Sequence, residues 1–147
     1  MKIINKALTH NFEIKEKLEA GINLYGAEVK AIRLGHADLS GSFVKIIGSE
    51  AYLVNAKVFP FEYARPESYQ QNRTRKLLLH KKEILSLKHK TGGSGLTIVP
   101  VSLYNNKANI KLEIALVKGK KEYQKKESKK RKDLQREVES QYKERLK

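Results

Sequence analysis

The stretch LTIVPVSLYNNKANIKLEIALV, residues 96–117, decides the fold class of this chain. In residues 110–117 the side chains alternate with a period of two, which is the pattern of a β-strand with one buried face. Residues 96–104 are also typical of a strand, and Pro100 inside it predicts an edge position or a bulge, because proline cannot donate a ladder hydrogen bond. Asn105-Asn106 predicts the hairpin turn between them. The stretch therefore predicts two antiparallel strands at the centre of a sheet protein.

Further strand patterns lie upstream. Phe12 and Ile14 alternate with charged residues, and a second short alternation follows Gly21, which we interpret as a bulge or bend. Residues 37–47 and 50–59 are predicted as two strands joined by a tight turn at the intervening glycine and serine.

Two short helices interrupt the strands. Residues 26–35 lie between two glycines, and the second glycine is the expected C-terminal stop. The polar face of this helix is expected to present Glu28, Lys30 and Arg33. Residues 81–90 have the apolar spacing of an amphipathic helix, and the leucines at 77–79 before it are expected to be buried.

The fold class that follows is mainly β with short helices (α+β). Five or six short strands predict an antiparallel β-barrel of the oligonucleotide-binding (OB) type, closed or partly closed, over residues 1–117. Residues 60–72 are predicted as a surface loop, and 92–95, GGSG, as a turn. Residues 118–147 form a separate tail.

The tail cannot build a core. It contains thirteen Lys and Arg and six Asp and Glu, with one thin apolar row at every fourth position from Leu134 to Leu146. Acids placed four residues before bases favour a helix weakly, so we expect a segment that is disordered alone and helical when bound to a partner. A solvated tail with no specific role explains the same composition.

Net charge indicates the class of partner. The chain carries +15 over 147 residues with an isoelectric point near 9.9, and both the barrel and the tail are basic. A field of this sign attracts a polyanion, and nucleic acid is favoured over lipid because no apolar stretch is long enough to span a membrane. The chain has no cysteine and no secretory signal pattern, which fits a protein of the reducing cytoplasm. The protein is expected to be a monomer.

No motif for catalysis or for a metal or cofactor is present in the sequence. The four histidines are scattered, and no nucleophile motif or short carboxylate cluster occurs. Two hypotheses stay open: a non-catalytic RNA-binding adaptor, and a metal-dependent nucleic-acid-processing enzyme, which would need clustered carboxylates to hold magnesium. A general single-stranded RNA-binding protein of OB type is a further alternative.

Basic residues before the second helix form a candidate phosphate site. Arg73, Arg75 and Lys76 lie within four residues, and arginine offers a fork geometry that matches phosphate. Alternatively, these three residues are a run of solvent-exposed charges with no specific ligand. Glu19 and Glu28 are acids in basic surroundings, suited to a base edge, a 2′-hydroxyl or an ion pair with Arg33.

Four stretches resemble one known family. They are EAGINLYGAEVKAIRLGHADL at 19–39, RTRKLLLHKKEI at 73–84, GLTIVPVSLY at 95–104 and IKLEIALVKGKKEY at 110–123. They resemble the SmpB family, the SsrA-binding proteins that partner transfer-messenger RNA (tmRNA) in bacterial ribosome rescue, or trans-translation. The resemblance implies an OB-type barrel whose ligand is the tRNA-like domain of tmRNA, with its elbow held at Glu19, Leu78 and His80. It also matches His10 and Phe12 to a family histidine with a neighbouring aromatic ring for packing or stacking. Glu28 and Lys30 match a family segment that supports the same RNA-binding face or merely its fold.

The resemblance further implies that the tail enters the decoding centre and the empty mRNA channel of the small ribosomal subunit. The candidate RNA-binding set is His10, Phe12, Glu19, Glu28, Lys30, Arg33, Arg73, Arg75, Lys76, Leu78 and His80. The candidate ribosome-binding set in the tail is Gly119, Lys120, Lys121, Tyr123, Lys125, Lys126, Lys130 and Arg131. Many family members have Asp and Arg where this chain has Gln124 and Lys126.

Overall fold

The computed structural model describes residues 1–59 and 70–119. Within them, the helices are α1 Leu8–Asn11, α2 Gly26–Arg33 and α3 Lys81–Thr91. The strands are β1 Lys2–Ile4, β2 Phe12–Ile22, β3 Ala37–Asp38, β4 Phe43–Ile47, β5 Glu50–Val54, β6 Lys57–Val58, β7 Arg75–Leu78, β8 Leu96–Asn106 and β9 Asn109–Gly119. The predicted loop at 60–72 lies mostly outside the described residues, and so does the tail after Gly119.

Six antiparallel strands close into a ring. The pairing runs β8, β4, β5, β7, β2 and β9 and returns to β8, while β1 is added to the outside of β8. Two seams of the ring are narrow: β4 and β8 share the single pair Val44 with Ile98, and β2 and β7 share two pairs. The prediction of a mainly β, OB-type antiparallel barrel is confirmed.

Residues 114–117 of the long β9 strand are buried on both faces, which explains the nearly continuous apolar run there. Ile114 and Leu116 face the barrel interior together with the main core. Ala115 and Val117 face the other way and pack with Leu8 of α1 and with neighbouring residues in a second cluster. Each buried branched side chain of this size contributes about 1.5–3 kcal/mol relative to an exposed one. The hairpin β8–β9 is therefore the rigid wall of the barrel.

The turn of that hairpin differs from the predicted one. Asn105 and Asn106 are still paired with β9, and the two turn residues are Lys107 and Ala108. Lys107 adopts the left-handed conformation at φ 57°, so backbone geometry at this turn outweighs the residue preference that favoured asparagine. Pro100 lies next to a register shift in β8, which confirms the predicted bulge, but β8 has neighbours on both sides and is not an edge.

Two predicted strands are broken in the structure. Residues 37–47 contain β3 and β4 with a turn between them, and residues 50–59 contain β5 and β6. Asn55, at φ 66°, separates β5 from β6. The short β3 and β6 pair with each other in a small second sheet outside the ring. The predicted turn at Gly48-Ser49 is confirmed, since Ile47 pairs with Glu50.

Both predicted helices are confirmed, and Gly35 ends the first at φ +81°. Of the two interpretations of Gly21, a bulge or a bend, the bulge is wrong, because Gly21 pairs regularly with Leu78 of β7 and Lys111 of β9 and the register shift of β2 lies between Ile14 and Glu16. The predicted burial of the leucines at 77–79 holds fully only for Leu77, since Leu78 is 57% exposed. That exposed leucine lies in the groove described next.

Candidate nucleic-acid interface

A groove of about 650 Å³ follows the narrow seam between β2 and β7. We call it the seam groove. It brings together three predicted site residues from two separate stretches, Glu19, Leu78 and His80, with Lys76 beside them. Lys81 and Lys111 add positive charge to its walls. The lining also includes Glu50 and Glu83, so three lysines and three glutamates surround an exposed apolar residue, Leu78. Such a mixture of donors, acceptors and apolar surface suits a ligand with phosphates, bases and sugars.

Gly21 shapes the floor of the groove. A Cβ atom at Gly21 would lie 3.0 Å from the Leu78 Cβ, tighter than nine in ten real Cβ contacts. Any larger residue at this position therefore requires Leu78 to shift by a few tenths of an ångström, whereas glycine lets the two strands approach without that shift. The leucine side chain is held against β2 and projects into solvent.

Glu19 is held in place by Tyr104. The Tyr104 hydroxyl donates a hydrogen bond to Glu19 Oε2, and the two residues lie on β8 and β2, on either side of β9. Burial, the hydrogen bond to Glu19 and the nearby charge of Glu113 together raise the pKa of Tyr104 to about 12. The phenol therefore stays protonated at neutral pH and orients the carboxylate, leaving Glu19 Oε1 for a donor on a ligand.

Lys76 is exposed on β7 and has an acidic neighbour. Its Nζ lies 3.2 Å from Glu50 Oε1, and Glu50 also accepts a hydrogen bond from the Tyr52 hydroxyl. The bond from Tyr52 and the charge of Lys76 lower the pKa of Glu50, and the same bond raises the pKa of Tyr52. Because this ion pair is solvent-exposed, it is weak and leaves Lys76 able to exchange Glu50 for a phosphate.

His80 begins helix α3 at the end of the groove. Its backbone N–H donates to Glu83 Oε1 at 3.0 Å, which caps the first turn of the helix. The His80 side chain is exposed and lines the groove. The helix thus fixes the backbone of His80 while its imidazole faces solvent.

The predicted phosphate cluster is corrected by the structure. Arg75 is fully buried, and its Nε donates to Glu28 Oε2 at 2.7 Å. Its other nitrogens donate to the carbonyl oxygens of Ala56, Arg73 and Gln71. A guanidinium satisfied in this way has no surface for a phosphate, so Arg75 supports the fold. Of the predicted cluster, Lys76 alone lines the seam groove.

Glu28 is buried as well, contrary to its predicted place on the polar face of α2. It is 1% exposed, and it pairs with Arg73 and Arg75 rather than with Arg33. Burial raises the pKa of its carboxyl, but hydrogen bonds from Arg73 and the Tyr25 backbone, with the charge of Arg75, outweigh burial and lower the pKa below 4.5. Sequence spacing on one helix missed these partners because they lie 45 and 47 residues away.

The remaining predicted residues lie outside the groove. Lys30 and Arg33 are exposed on α2, and Arg33 Nη2 donates to the carbonyl oxygen of Ala108 at 3.0 Å. His10 lies in the last turn of α1, and Phe12 lines a second cleft of about 590 Å³ together with Gly119. Phe12 pairs with Gly119, so this second cleft is where the chain leaves the barrel toward the tail.

The other predicted tail residues lie outside the described residues: Lys120, Lys121, Tyr123, Lys125, Lys126, Lys130 and Arg131. Sequence reasoning did not find Tyr104, Lys111 or the role of Gly21. Tyr104 and Lys111 reach the groove only through the register of β8, β9 and β2, which no local pattern reveals.

Searches for two other kinds of site gave no candidate within residues 1–59 and 70–119. No three His, Asp or Glu side chains gather there in a way that could hold a metal ion. Over the same residues, no helix has the length and apolar character needed to cross a membrane.

The fold and the groove define a class: a small, strongly basic β-barrel protein with a candidate nucleic-acid-binding groove on its outer surface. Comparison with known proteins identifies the family within that class. The family model described as SmpB protein matches residues 2–144. This chain belongs to the SmpB family.

Curated relatives agree over nearly the whole chain. An SsrA-binding protein of Nitratiruptor sp. is 49% identical over 148 residues, covering 98% of this chain and 99% of the relative. An SsrA-binding protein of Sulfurihydrogenibium sp. is 48% identical over 143 residues, covering 97% and 94%. A solved chain described as "tmRNA-SmpB: a journey to the center of the bacterial ribosome" is 40% identical, with a TM-score of 0.70, covering 82% of this chain and 85% of that one.

Proposed function

We propose that this protein is an RNA-binding adaptor that holds the tRNA-like domain of tmRNA and delivers it to stalled ribosomes. One observation carries the proposal: Glu19, Leu78 and His80, the positions that the family resemblance relates to the RNA elbow, lie along one groove. Membership of the SmpB family supports the adaptor over the alternatives of a nuclease or a general single-stranded RNA-binding protein. The solved tmRNA-SmpB relative supports the same partner.

In this proposal residues 1–117 are the RNA-binding domain and 118–147 are the ribosome-binding tail. Strand β9 continues to Gly119, so the first two residues of this tail, Lys118 and Gly119, are still paired with β2 of the barrel. The tail occupies the decoding centre and the empty mRNA channel, where its thirteen basic residues meet ribosomal RNA. The protein works in the cytoplasm, without catalysing a reaction and without a cofactor.

A binding measurement tests the barrel. Leu78→Ala is expected to weaken binding of the tRNA-like domain by about tenfold or more, if Leu78 supports one base or sugar. Ile47→Ala is the matched control, because Ile47 is 55% exposed and does not line the groove. Equal affinities for Leu78→Ala and the wild type would remove the groove from the proposal.

Competition and cleavage assays separate the alternatives. Single-stranded homopolymer RNA should compete poorly with the tRNA-like domain if the ligand is a folded RNA. Equal competition would favour the general single-stranded RNA-binding protein, and magnesium-dependent cleavage of RNA by the pure protein would favour the nuclease.

A tagging assay tests the tail. A chain ending at Gly119 should retain most of its affinity for the tRNA-like domain and fail to support peptide tagging on stalled ribosomes. Tagging at the wild-type rate by the shortened chain would contradict the role of residues 120–147.

A further inference from the structure

An exposed aromatic ring backed by a guanidinium lies at the far end of the β2–β7 seam. Tyr25 is 67% exposed, and Arg73 Cζ lies 4.1 Å from the centroid of its ring. We call this pair the Tyr25–Arg73 stack. We propose that it is a stacking site for an unpaired nucleobase of the RNA held in the seam groove. This inference rests on the proposed function and adds a binding residue to it.

Hydrogen bonds link the stack to the β2–β7 seam that the groove follows. The Asn23 N–H donates to the Lys76 carbonyl oxygen at 2.9 Å, which extends the β2–β7 pairing past its two ladder pairs. Arg73 Nη2 in turn donates to the Asn23 carbonyl oxygen at 3.3 Å. At about 3.3 Å per residue, Arg73 lies roughly 16 Å along the chain from Leu78. One folded RNA can therefore contact both ends of the seam.

The guanidinium of the stack and the backbone that carries its ring are anchored by one carboxylate. Glu28 Oε1 accepts hydrogen bonds from Arg73 Nη2 and from the backbone N–H of Tyr25, the latter at 2.9 Å. Glu28 is itself held by Arg75. The carboxylate thus positions Arg73 beneath the ring and holds the backbone at Tyr25, which lowers the conformational cost of binding a base there.

The chemistry of the site favours a base over a phosphate. The Arg73 guanidinium donates through Nη1 and Nη2 to Glu28 and to the backbone carbonyl oxygens of Asn23 and Thr74, and its Nε is buried, so it presents no free fork to a phosphate. It also covers one face of the Tyr25 ring. What the site offers is the other ring face, on a protein of net charge +15 that attracts RNA. Unpaired RNA bases stack on such rings.

The test compares three variants of the full chain in their binding of the tRNA-like domain of tmRNA. Tyr25→Ala should raise Kd by about 5- to 150-fold, and Tyr25→Phe should bind like the wild type, because stacking needs the ring and not the hydroxyl. The dependence of affinity on salt should not change in Tyr25→Ala, since no phosphate contact is lost. Leu34→Ala is the control, because Leu34 is 53% exposed at the opposite end of α2.

A second measurement identifies the base. Replacing unpaired nucleotides of the RNA one at a time by abasic sites should reveal one position at which wild type and Tyr25→Ala bind equally. Tyr25→Trp, unlike Tyr25→Ala, should bind with the full affinity of the wild type, which a merely structural role of Tyr25 does not predict.

Four results would overturn the inference: Tyr25→Ala binding within twofold of the wild type, Tyr25→Phe losing as much affinity as Tyr25→Ala, Tyr25→Trp failing to restore affinity, or no abasic position coupled to Tyr25. Absence of binding by both the wild type and Leu34→Ala would instead refute the proposed function.

Discussion

Glu28→Gln is predicted to destabilise the barrel strongly although it changes only one atom of the side chain. The substitution keeps the shape of Glu28 and removes its charge, which leaves the guanidinium of Arg75 in the interior without a counterion. Arg75 and Glu28 are 0% and 1% exposed, so water cannot replace the lost partner. Removing one member of a buried pair typically costs about 3–5 kcal/mol. Marginally stable domains unfold with about 5–15 kcal/mol, so the loss is a large fraction of the total.

Urea unfolding followed by far-ultraviolet circular dichroism measures this loss, since the protein has no tryptophan to report by fluorescence. Glu16→Gln is the matched control: Glu16 pairs with Lys90 at 2.7 Å, but both side chains are about two-fifths exposed. Breaking that surface pair should cost about 0–1 kcal/mol. The double variant Glu28→Gln with Arg75→Gln should cost less than the sum of the single variants, because each single change leaves a charge unpaired.

Acid titration gives an independent readout of the same pair. The pKa of Glu28 is lower in the folded protein than its ordinary value of 4.5, so the unfolded chain binds the proton more tightly. The stabilisation by Glu28 is therefore complete above about pH 4.5 and is lost as pH falls through the folded-state pKa. Glu28→Gln should flatten this part of the stability curve. If Glu28→Gln lowered the free energy of unfolding by less than about 1 kcal/mol, or left its dependence on acid pH unchanged, the reasoning would be refuted.

Three further results are expected. Gly21→Ala should lower both the melting temperature and the RNA affinity, because its Cβ would lie 3.0 Å from that of Leu78, whereas Gly26→Ala, which meets nothing within 4 Å, should change neither appreciably. Tyr104→Phe should remove one tyrosinate from the alkaline end of an absorbance titration, near pH 12, and an unchanged titration there would contradict the Glu19 hydrogen bond. Binding of the tRNA-like domain should weaken with salt by a log–log slope of about −0.9 for each phosphate contact, and a flat response would argue against phosphate contacts in the groove.

Local patterns predicted the parts of the fold that local chemistry determines. The alternation in β9, the glycine stop of α2 and the tight turn at Gly48-Ser49 each depend on neighbouring residues, and all three are confirmed. The turn at Lys107 could not be predicted in the same way. The register of β8 against β9 fixes it, and that register is set by side-chain packing on both faces of a doubly buried strand.

The candidate site was predictable in its exposed members and not in its buried ones. Leu78, Lys76 and His80 lie close together in sequence, and the groove brings Glu19 to them. Glu28, Arg73 and Arg75 are residue types that also form exposed contacts, so their identity alone does not show that they are buried. Only the packing of α2 over the start of β7 turns two of them inward, and a one-dimensional pattern of charges contains no information about that packing.

The buried charges and the exposed groove meet at a narrow seam of the ring. Strands β2 and β7 share only two residue pairs. Beside this seam the Arg75 guanidinium joins Glu28 of α2 to the carbonyl oxygens of Ala56 and Gln71, and the Arg73 guanidinium joins Glu28 to the carbonyl oxygen of Asn23, which follows β2. Because neighbouring residues of a strand face opposite sides, a fully inward Arg75 leaves Lys76 outward, and Leu77 inward leaves Leu78 outward. The side chains of Lys76 and Leu78 therefore take no part in this buried hydrogen-bond network. Substitutions of Lys76 and Leu78 should therefore change RNA binding alone, whereas substitutions of Glu28 and Arg75 should change stability first and RNA binding as its consequence.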